Sequence, residues 1–197
     1  GQTAESLQGS DLSFSVDGGT VRVNGIPVTT ADIQTSNGVV HLIDGVLLEA
    51  TTVTERAILT PTFSTLADLV VQAGLDDDLN GSGPFTVLAP TNQAFLDALD
   101  ANDNGQIDGN EVPSQSQLES ILTYHVIAGQ AVESSAISDG QSVETLEGSD
   151  VTFGISGGTI TVNPSADNAT VAAPDVQVSN GIIHGIDTVL TPPSGSN

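Results

Sequence analysis

Alternation of apolar and polar residues predicts β-strands at the N-terminal end of the chain. Residues 12–16 read Leu-Ser-Phe-Ser-Val, residues 17–20 read Asp-Gly-Gly-Thr, and the alternation resumes at residues 21–23. Alternation places apolar side chains on one face of a strand, and the glycine pair favours a tight turn between two strands. We therefore expect a β-rich block over residues 1–48.

A hairpin is the most specific element of this block. The dipeptide Asn37-Gly38 lies between Ile-Gln-Thr at residues 33–35 and Val-Val-His-Leu-Ile at residues 39–43. Asn-Gly favours a type I′ turn, in which both central residues have positive φ and the twist matches that of antiparallel strands. The polar, β-branched segment at residues 50–57 that follows predicts a linker.

The middle of the chain instead has apolar residues at helical spacing. The predicted helices cover residues 64–73, residues 91–99 and a segment that begins at Ser114. Ser64 is placed to cap the first helix and Gly74 to end it, whereas Ser114 and Gln117 form a capping box. A short apolar run at residues 84–90, bounded by prolines, is typical of a buried strand.

Part of the sequence occurs twice. Residues 146–163 repeat the pattern of residues 7–24, and residues 175–190 repeat that of residues 32–47, with a few extra residues between the two blocks of the second copy. Residues 58–130 occur once. The chain therefore reads as a half-unit followed by a whole unit, and such self-similarity decides its domain organisation.

Three motifs in the whole unit resemble those of a fasciclin domain. They are Gly-Pro-Phe-Thr-Val-Leu-Ala-Pro-Thr-Asn-Gln-Ala-Phe at residues 83–95, Ile-Leu-Thr-Tyr-His-Val-Ile-Ala-Gly at residues 121–129, and Asn-Gly-Ile-Ile-His-Gly-Ile-Asp-Thr-Val-Leu at residues 180–190. The resemblance implies an α+β fold, a β-wedge or sandwich with helices packed beside it. It also implies an extracellular or cell-surface module, usually found in tandem, that serves adhesion or matrix assembly.

The repeat and the resemblance together predict the domain boundaries. Residues 1–49 resemble the C-terminal, β-rich half of one fasciclin domain, which makes them an extra β half-domain. Residues 58–193 resemble a complete domain, and residues 194–197 are a tail. Between the two domains, residues 50–57 are the predicted linker.

The segment at residues 100–111 departs from the fasciclin pattern, where this connection is short. Its sequence, Asp-Ala-Asn-Asp-Asn-Gly-Gln-Ile-Asp-Gly-Asn-Glu, fits the twelve-residue EF-hand calcium loop. Gly105 allows the sharp turn, and Ile107 takes the position of the short β contact. The predicted calcium ligands are Asp100, Asn102, Asn104, the Gln106 carbonyl, Asp108 through water, and a bidentate Glu111.

Three features of this loop predict a structural Ca²⁺ site of low to moderate affinity. EF-hand loops usually occur in pairs, but this sequence has one, and Pro113 interrupts the start of the exit helix. Two of the first three ligands are neutral asparagines, so we expect a dissociation constant of about micromolar to millimolar, as in extracellular modules. The alternative is a solvated acidic linker without a bound ion.

The charge balance limits the range of partners. The formal net charge is −23, and Arg22 and Arg56 are the only strong cations. Such a surface repels nucleic acid and anionic membranes, which proteins bind through lysine and arginine. It predicts either a highly soluble surface or a protein adapted to high salt or calcium-rich water. The chain has no cysteine, so compartment cannot be read from disulfides.

The sequence context of the three histidines favours packed, hydrogen-bonded side chains over catalytic ones. His184 and Asp187 lie three residues apart on a predicted strand, where side chains point to opposite faces, so they form no dyad. His41 and Asp44 are also three residues apart, so they form no dyad for the same reason. The pair Tyr124 and His125 aligns with the Tyr-His pair that is associated with integrin binding in animal fasciclin domains, which makes it a candidate binding site. Helical spacing instead favours a core position for His125.

We therefore predict a non-enzymatic, secreted, calcium-binding adhesion or matrix module whose partners are other protein chains or cell-surface components. The alternative is a subunit of an extracellular filament or surface layer, assembled as a homo-oligomer through the N-terminal half-domain. A hydrolase or sugar-binding enzyme would need a polar cleft, and the sequence offers no cysteine, lysine or serine elbow motif for nucleophilic chemistry.

Overall fold

A computed structural model describes residues 2–7, 11–17, 19–24, 26–47, 51–163 and 166–193. The predicted tail lies outside these residues. The chain divides into two compact units, unit 1 at Gly1–Ala50 and unit 2 at Thr51–Asn197. Unit 1 is built of strands and unit 2 of helices and strands, which confirms the predicted α+β class.

The described residues of unit 1 form a five-stranded antiparallel sheet whose strands follow one another in chain order. The predicted β-rich character of this block is confirmed. Its strands are β1 (Gln2–Glu5), β2 (Asp11–Asp17), β3 (Thr20–Val23), β4 (Ile26–Thr35) and β5 (Gly38–Ile43).

The predicted hairpin is present, but its turn is not the predicted one. Thr35 pairs with Gly38, so the two turn residues are Ser36 and Asn37. Neither has positive φ, so the type I′ prediction is wrong. The Thr35 hydroxyl closes the turn by donating to the Gly38 carbonyl at 2.9 Å, and Gly38 is the first residue of the returning strand.

Unit 2 contains five helices among its described residues, together with two short 3₁₀ turns. The helices are α1 (Val53–Leu59), α2 (Ser64–Ala73), α3 (Asp76–Leu79), α4 (Asn92–Leu99) and α5 (Gln115–Tyr124), and the turns are Pro61–Phe63 and Ser134–Ala136. Helix α2 ends where predicted, at Gly74 with φ 72°, which favours glycine.

In the part of unit 2 that the structure describes, the sheet has seven strands in the order β7-β6-β12-β11-β10-β9-β8. Strands β6 and β12 pair in parallel, and the other pairs are antiparallel. The strands are β6 (Phe85–Pro90), β7 (Val126–Ala128), β8 (Ser142–Glu144), β9 (Asp150–Ser156), β10 (Thr159–Val162), β11 (Ala169–Val178) and β12 (Gly181–Ile186).

The prediction of a linker at residues 50–57 is wrong from residue 53 onward, because helix α1 begins there. The Thr52 hydroxyl accepts from Glu55 N at 3.4 Å, and the Glu55 carboxylate accepts from Thr52 N at 3.0 Å, which forms a capping box. Val53 and Ala57 are buried in the core. The segment was predicted as a linker because it is rich in β-branched residues, which have low helix propensity. The packing of Val53 and Ala57 on the core nevertheless stabilises a helix.

The starts of α4 and α5 carry side-chain caps, of which the one at Ser114 was predicted from the sequence. The Thr91 hydroxyl accepts from Ala94 N at 3.2 Å at the start of α4, and the Gln117 side chain accepts from Ser114 N at 3.2 Å at the start of α5. The predicted Ser64 cap is wrong. Helix α2 is capped instead by the Asn92 side chain, which accepts from Thr65 N at 3.0 Å.

Strand β6 lies between β7 and β12 in the sheet and is buried on both faces. Val87 and Ala89 belong to the apolar cluster shared with the helices, whereas Leu88 belongs to a second cluster that includes residues of strands β7 to β12 and Tyr124 of α5. Ile183 and Ile186 of the neighbouring strand β12 divide between the two clusters in the same way. A parallel strand pair covered on both faces is the expected setting for such continuous apolar runs.

Candidate calcium-binding loop and the buried histidines

The predicted calcium loop connects two helices that the core holds in place. Helix α4 ends at Leu99 and α5 begins at Gln115. Leu99, Ile107 and Val112 are partly buried and pack against the helical core cluster, so apolar contacts fix the loop at its start, middle and end. Ile107 does not lie in a β-strand, so the predicted short β contact is not made there. Its side chain packs against the core instead.

The first half of the loop makes the sharp turn that the sequence predicts. Gly105 has φ 79°, and Asp103 also has positive φ, at 55°. The Asp100 carboxylate accepts from Asn104 N at 3.1 Å and from Gly105 N at 2.7 Å, which folds the chain around this side chain. Asp100 is therefore placed at the centre of the turn, as the first ligand of such a loop must be.

The second half of the loop brings the remaining polar side chains together. Asn102 Nδ2 donates to Asp108 at 3.1 Å and to Glu111 at 2.9 Å, and Asn104 Nδ2 donates to Asp108 at 2.9 Å. The Glu111 carboxylate also accepts from the backbone N–H of Ala101 at 3.0 Å and of Asp108 at 2.9 Å.

The donor chemistry of this cluster fits a hard cation in part. Among the described residues, no group of three or more histidine, aspartate and glutamate side chains is arranged to hold a metal ion. Calcium takes six to eight oxygen ligands, so the carboxylates would need amide and carbonyl oxygens beside them. Asn102 and Asn104 turn their N–H groups toward the carboxylates, and rotation of each amide by a half-turn would present oxygen instead.

His125 and His184 are buried and hydrogen-bonded on both ring nitrogens. His125 Nε2 accepts from Leu190 N at 2.9 Å, so its proton lies on Nδ1, which donates to the Ile121 carbonyl at 2.7 Å. His184 has the opposite tautomer, because Nδ1 accepts from Asp175 N at 3.2 Å and Nε2 donates to a backbone carbonyl at 2.8 Å. Burial lowers the pKa of His125 to about 4, so the ring is neutral in the folded chain.

The structure places both members of the Tyr-His pair in the interior. Tyr124 and His125 are 3% and 1% exposed. The Tyr124 hydroxyl donates to the Asp150 carbonyl and accepts from Asn163 Nδ2, both at 3.0 Å. Burial raises the pKa of this phenol above its usual value. Both side chains therefore face polar partners inside the fold and present little surface to another protein.

The remaining histidine does not follow the prediction of packing. His41 is exposed on β5, where its Nδ1 accepts from Asp32 N at 3.2 Å. No dyad forms in unit 2 either, because the Asp187 carboxylate accepts from Thr170 N at 2.7 Å.

Asn180 is a residue whose role the sequence interpretation missed. Its Oδ1 accepts from Val53 N at 3.0 Å, and its Nδ2 donates to the carbonyls of Leu79 at 2.8 Å and Gly81 at 2.9 Å. These bonds tie the start of α1 and the end of α3 to the β11–β12 turn. No local pattern could reveal them, since the partners lie far away in the sequence.

The fold and its motifs define the class of protein. The fasciclin domain profile matches residues 1–49 and 61–192, so the chain belongs to the fasciclin domain family. No helix among the described residues has the length and apolar character needed to cross a bilayer.

Relatives of this chain come from bacteria and animals. It is 39% identical over 171 residues to Protein sll1483 of Synechocystis, which covers 86% of this chain and 89% of that protein. It is 37% identical over 177 residues to pig transforming growth factor-beta-induced protein ig-h3 (89% of this chain), and 33% identical over 193 residues to human periostin (98% of this chain). The chain spans only 25% of ig-h3 and 21% of periostin.

A solved structure has the same fold. The FAS1 domain pair of fasciclin I, an insect cell adhesion molecule, superposes with a TM-score of 0.67 at 24% identity. The match covers 92% of this chain and 67% of the other. It confirms the fold that the sequence motifs predicted.

Proposed function

We propose that this chain is a non-catalytic, calcium-binding module of a secreted or cell-surface adhesion or matrix protein. Membership of the fasciclin family supports the adhesive role, because fasciclin I of insects is a cell adhesion molecule. The observation that carries the calcium part is the convergence of Asp108, Glu111 and the two asparagine amides within one turn-forming loop.

The ion would be held by six oxygens of the loop, once the two asparagine amides rotate to present their oxygens. These are the carboxylates of Asp100, Asp108 and Glu111, the amide oxygens of Asn102 and Asn104, and the Gln106 carbonyl. A divalent cation neutralises the mutual repulsion of the carboxylates, which lie in a chain of net charge −23. Because Leu99 and Val112 fix both ends of the loop to the core, binding would stiffen the α4–α5 connection.

The buried histidines support a non-catalytic role. A general base needs a free ring nitrogen within hydrogen-bond reach of a substrate. Both ring nitrogens of His125 and of His184 are engaged with backbone groups of the fold. The acidic surface favours protein or matrix partners that carry positive charge, through electrostatic complementarity.

Calcium titration by calorimetry tests the site directly. We expect one Ca²⁺ per chain, and Glu111→Gln should weaken binding by about tenfold or more because it removes the bidentate carboxylate. Glu119→Gln is the matched control, since Glu119 lies on α5 outside the loop and contacts Gln115. Equal affinity of the wild type and Glu111→Gln would exclude the site.

Adhesion is tested separately with cells spread on surfaces coated with the chain. Attachment above that on a surface coated with an unrelated acidic protein supports the adhesive role. Loss of attachment for Glu111→Gln, restored by saturating calcium, would link it to the ion. Absence of attachment under all conditions would contradict the adhesive part of the proposal and leave the calcium titration unaffected.

A further inference from the structure

Asn-Gly dipeptides are places where the backbone of this chain can attack one of its own side chains. Unit 2 contains three of them, Asn80-Gly81, Asn104-Gly105 and Asn180-Gly181. The backbone nitrogen of the glycine can close a five-membered ring on Cγ of the asparagine, because glycine has no Cβ to hinder the approach. Whether the ring closes in the folded chain depends on how firmly the carboxamide and the glycine N–H are held.

Asn180 is held by the fold on both sides of its peptide bond to Gly181. Its carboxamide makes three hydrogen bonds, to the backbone N–H at the start of α1 and to the carbonyls of Leu79 and Gly81. Gly181 pairs with Phe85 of β6, and a Cβ placed on it would overlap the Phe85 carbonyl. Ring closure at Asn180 therefore requires local unfolding of the β11–β12 turn.

Asn80 is restrained at the end of α3. Its backbone has right-handed helical angles, φ −82° and ψ −8°, which turn the side chain away from the Gly81 nitrogen. Its Oδ1 accepts from the Thr52 hydroxyl at 2.5 Å, and Gly81 N donates to the Asp78 carbonyl at 3.2 Å. Both reacting groups are therefore engaged with the ends of helices.

Asn104 is arranged differently, in the exposed connection between α4 and α5. Its Oδ1 accepts from Gln106 N at 2.7 Å, which closes an Asx-turn and folds the side chain over the peptide bond to Gly105. This turn brings Cγ toward the Gly105 nitrogen. Gly105 N–H donates to the Asp100 carboxylate at 2.7 Å, a charge-assisted bond that raises the electron density on the attacking nitrogen. Asn104 and Gly105 lie outside helices and strands and are exposed to water.

We propose that Asn104 is a site of spontaneous deamidation. The Gly105 nitrogen forms a bond to Cγ of Asn104 while its proton passes to hydroxide from the solvent. The Cγ–Nδ2 bond breaks, and that nitrogen leaves as ammonia after taking a proton from water. Water then opens the succinimide ring, either at the Cγ–N bond, which gives aspartate, or at the backbone C–N bond, which gives isoaspartate. One water is consumed and one ammonia is released, with no oxidant or reductant.

The product changes the electrostatics of the loop. Asn104 Nδ2 donates to Asp108 at 2.9 Å, and either product replaces this donor by a carboxylate. Two carboxylates that lie close together repel each other unless a cation lies between them. Isoaspartate also lengthens the backbone by one carbon within the turn that Asp100 holds. Residue 104 therefore changes from a neutral hydrogen-bond donor to an anion.

Calcium should control the reaction if it binds the loop, and this part rests on the proposed function. An ion coordinated by Oδ1 of Asn104 would restrain the side-chain rotation that ring closure requires. Chains without the ion would therefore be modified, and chains with it would be spared. The aspartate form would in turn bind Ca²⁺ more tightly, because a carboxylate replaces a neutral amide.

Peptide mapping by mass spectrometry on the full chain tests the proposal. The chain is incubated with a chelator at mildly alkaline pH, and the fraction converted at each Asn-Gly pair is followed with time. We expect Asn104 to react at least about tenfold faster than Asn80 and Asn180 in the folded chain, because those two react only through local unfolding. In urea all three should react within about threefold of one another, which is the control for effects of the neighbouring sequence.

The same incubation with calcium separates this proposal from the proposed function. Slower conversion of Asn104 in calcium, with Asn80 and Asn180 unchanged, supports both. Fast conversion of Asn104 that calcium leaves unchanged supports the modification and contradicts the calcium site.

Two outcomes would overturn the proposal. The first is a folded chain in which Asn104 reacts no faster than Asn80 and Asn180. The second is a rate at Asn104 that folding lowers, relative to urea, as much as it lowers the rate at Asn180, since the loop would then protect the residue.

Discussion

The sheets of unit 1 and unit 2 contain the same strand pair, and their comparison separates local from long-range causes of structure. In both pairs an aspartate takes positive φ and donates to a histidine ring. His184 is nevertheless fully buried, whereas His41 is exposed. The sequence of the hairpin therefore specifies its bulge and turn, while burial and most of the stability come from the strand and helices that pack on it.

The largest expected contrast is between alanine substitutions at the two equivalent glycines. Gly181→Ala should destabilise unit 2 by about 3 kcal/mol or more, because the new methyl group overlaps the Phe85 backbone, which cannot move alone. Gly38→Ala should change stability by less than about 1 kcal/mol, and in the stabilising direction, since its surroundings are open. Urea unfolding of both variants measures the contrast, and equal effects would contradict it.

The next prediction concerns the loss of folding stability at low pH, which depends on the buried His125. The pKa of His125 falls from 6.5 to about 4 on folding, so the unfolded chain binds the proton first as the pH drops. Stability from this residue is present above pH 6.5 and is lost toward pH 4, by roughly 3 kcal/mol in all.

Urea unfolding followed between pH 7 and pH 5 checks this loss. We expect a slope of about 1 kcal/mol per pH unit between pH 6 and pH 5 from this residue. A flat profile over this range would contradict the neutral, buried state of His125.

A smaller contrast is expected at the two turn asparagines. Asn180→Ala removes three hydrogen bonds to α1, Leu79 and Gly81 and should cost about 2 kcal/mol. Asn37 occupies the same place in unit 1, where its side chain accepts from Thr35 at 3.3 Å on an exposed turn, so Asn37→Ala should cost less than about 0.5 kcal/mol. Thermal unfolding measures both, and a similar loss for the two would show that the turn itself is the stabilising element.

The elements that the sequence predicted well are those whose causes lie within a few residues. The cap at Ser114, the helix end at Gly74 and the sharp turn at Gly105 depend on neighbouring backbone groups. Helix α1 also has a local signal, the capping box of Thr52 and Glu55. It was missed because the segment is rich in β-branched residues, and the packing of Val53 on the core and the bond from Val53 N to distant Asn180 could not be read from the sequence.

The candidate calcium loop shows the same division. The positions of its turn and of its polar side chains follow from residue spacing, so these could be read from the sequence. The direction of the asparagine amides depends on carboxylates four to nine residues away, and the anchoring of Ile107 depends on the core. Spacing alone could not predict either feature.

Hydrogen exchange on the 197-residue chain tests the central comparison most directly. The amides of β12 should exchange only through global unfolding of unit 2, because β6 and β11 pair with both edges of this strand. The amides of β5 should exchange faster by about a hundredfold or more, at concentrations where the chain is monomeric, because one edge and both faces are open. Equal protection of β5 and β12 in a monomeric sample would contradict the account.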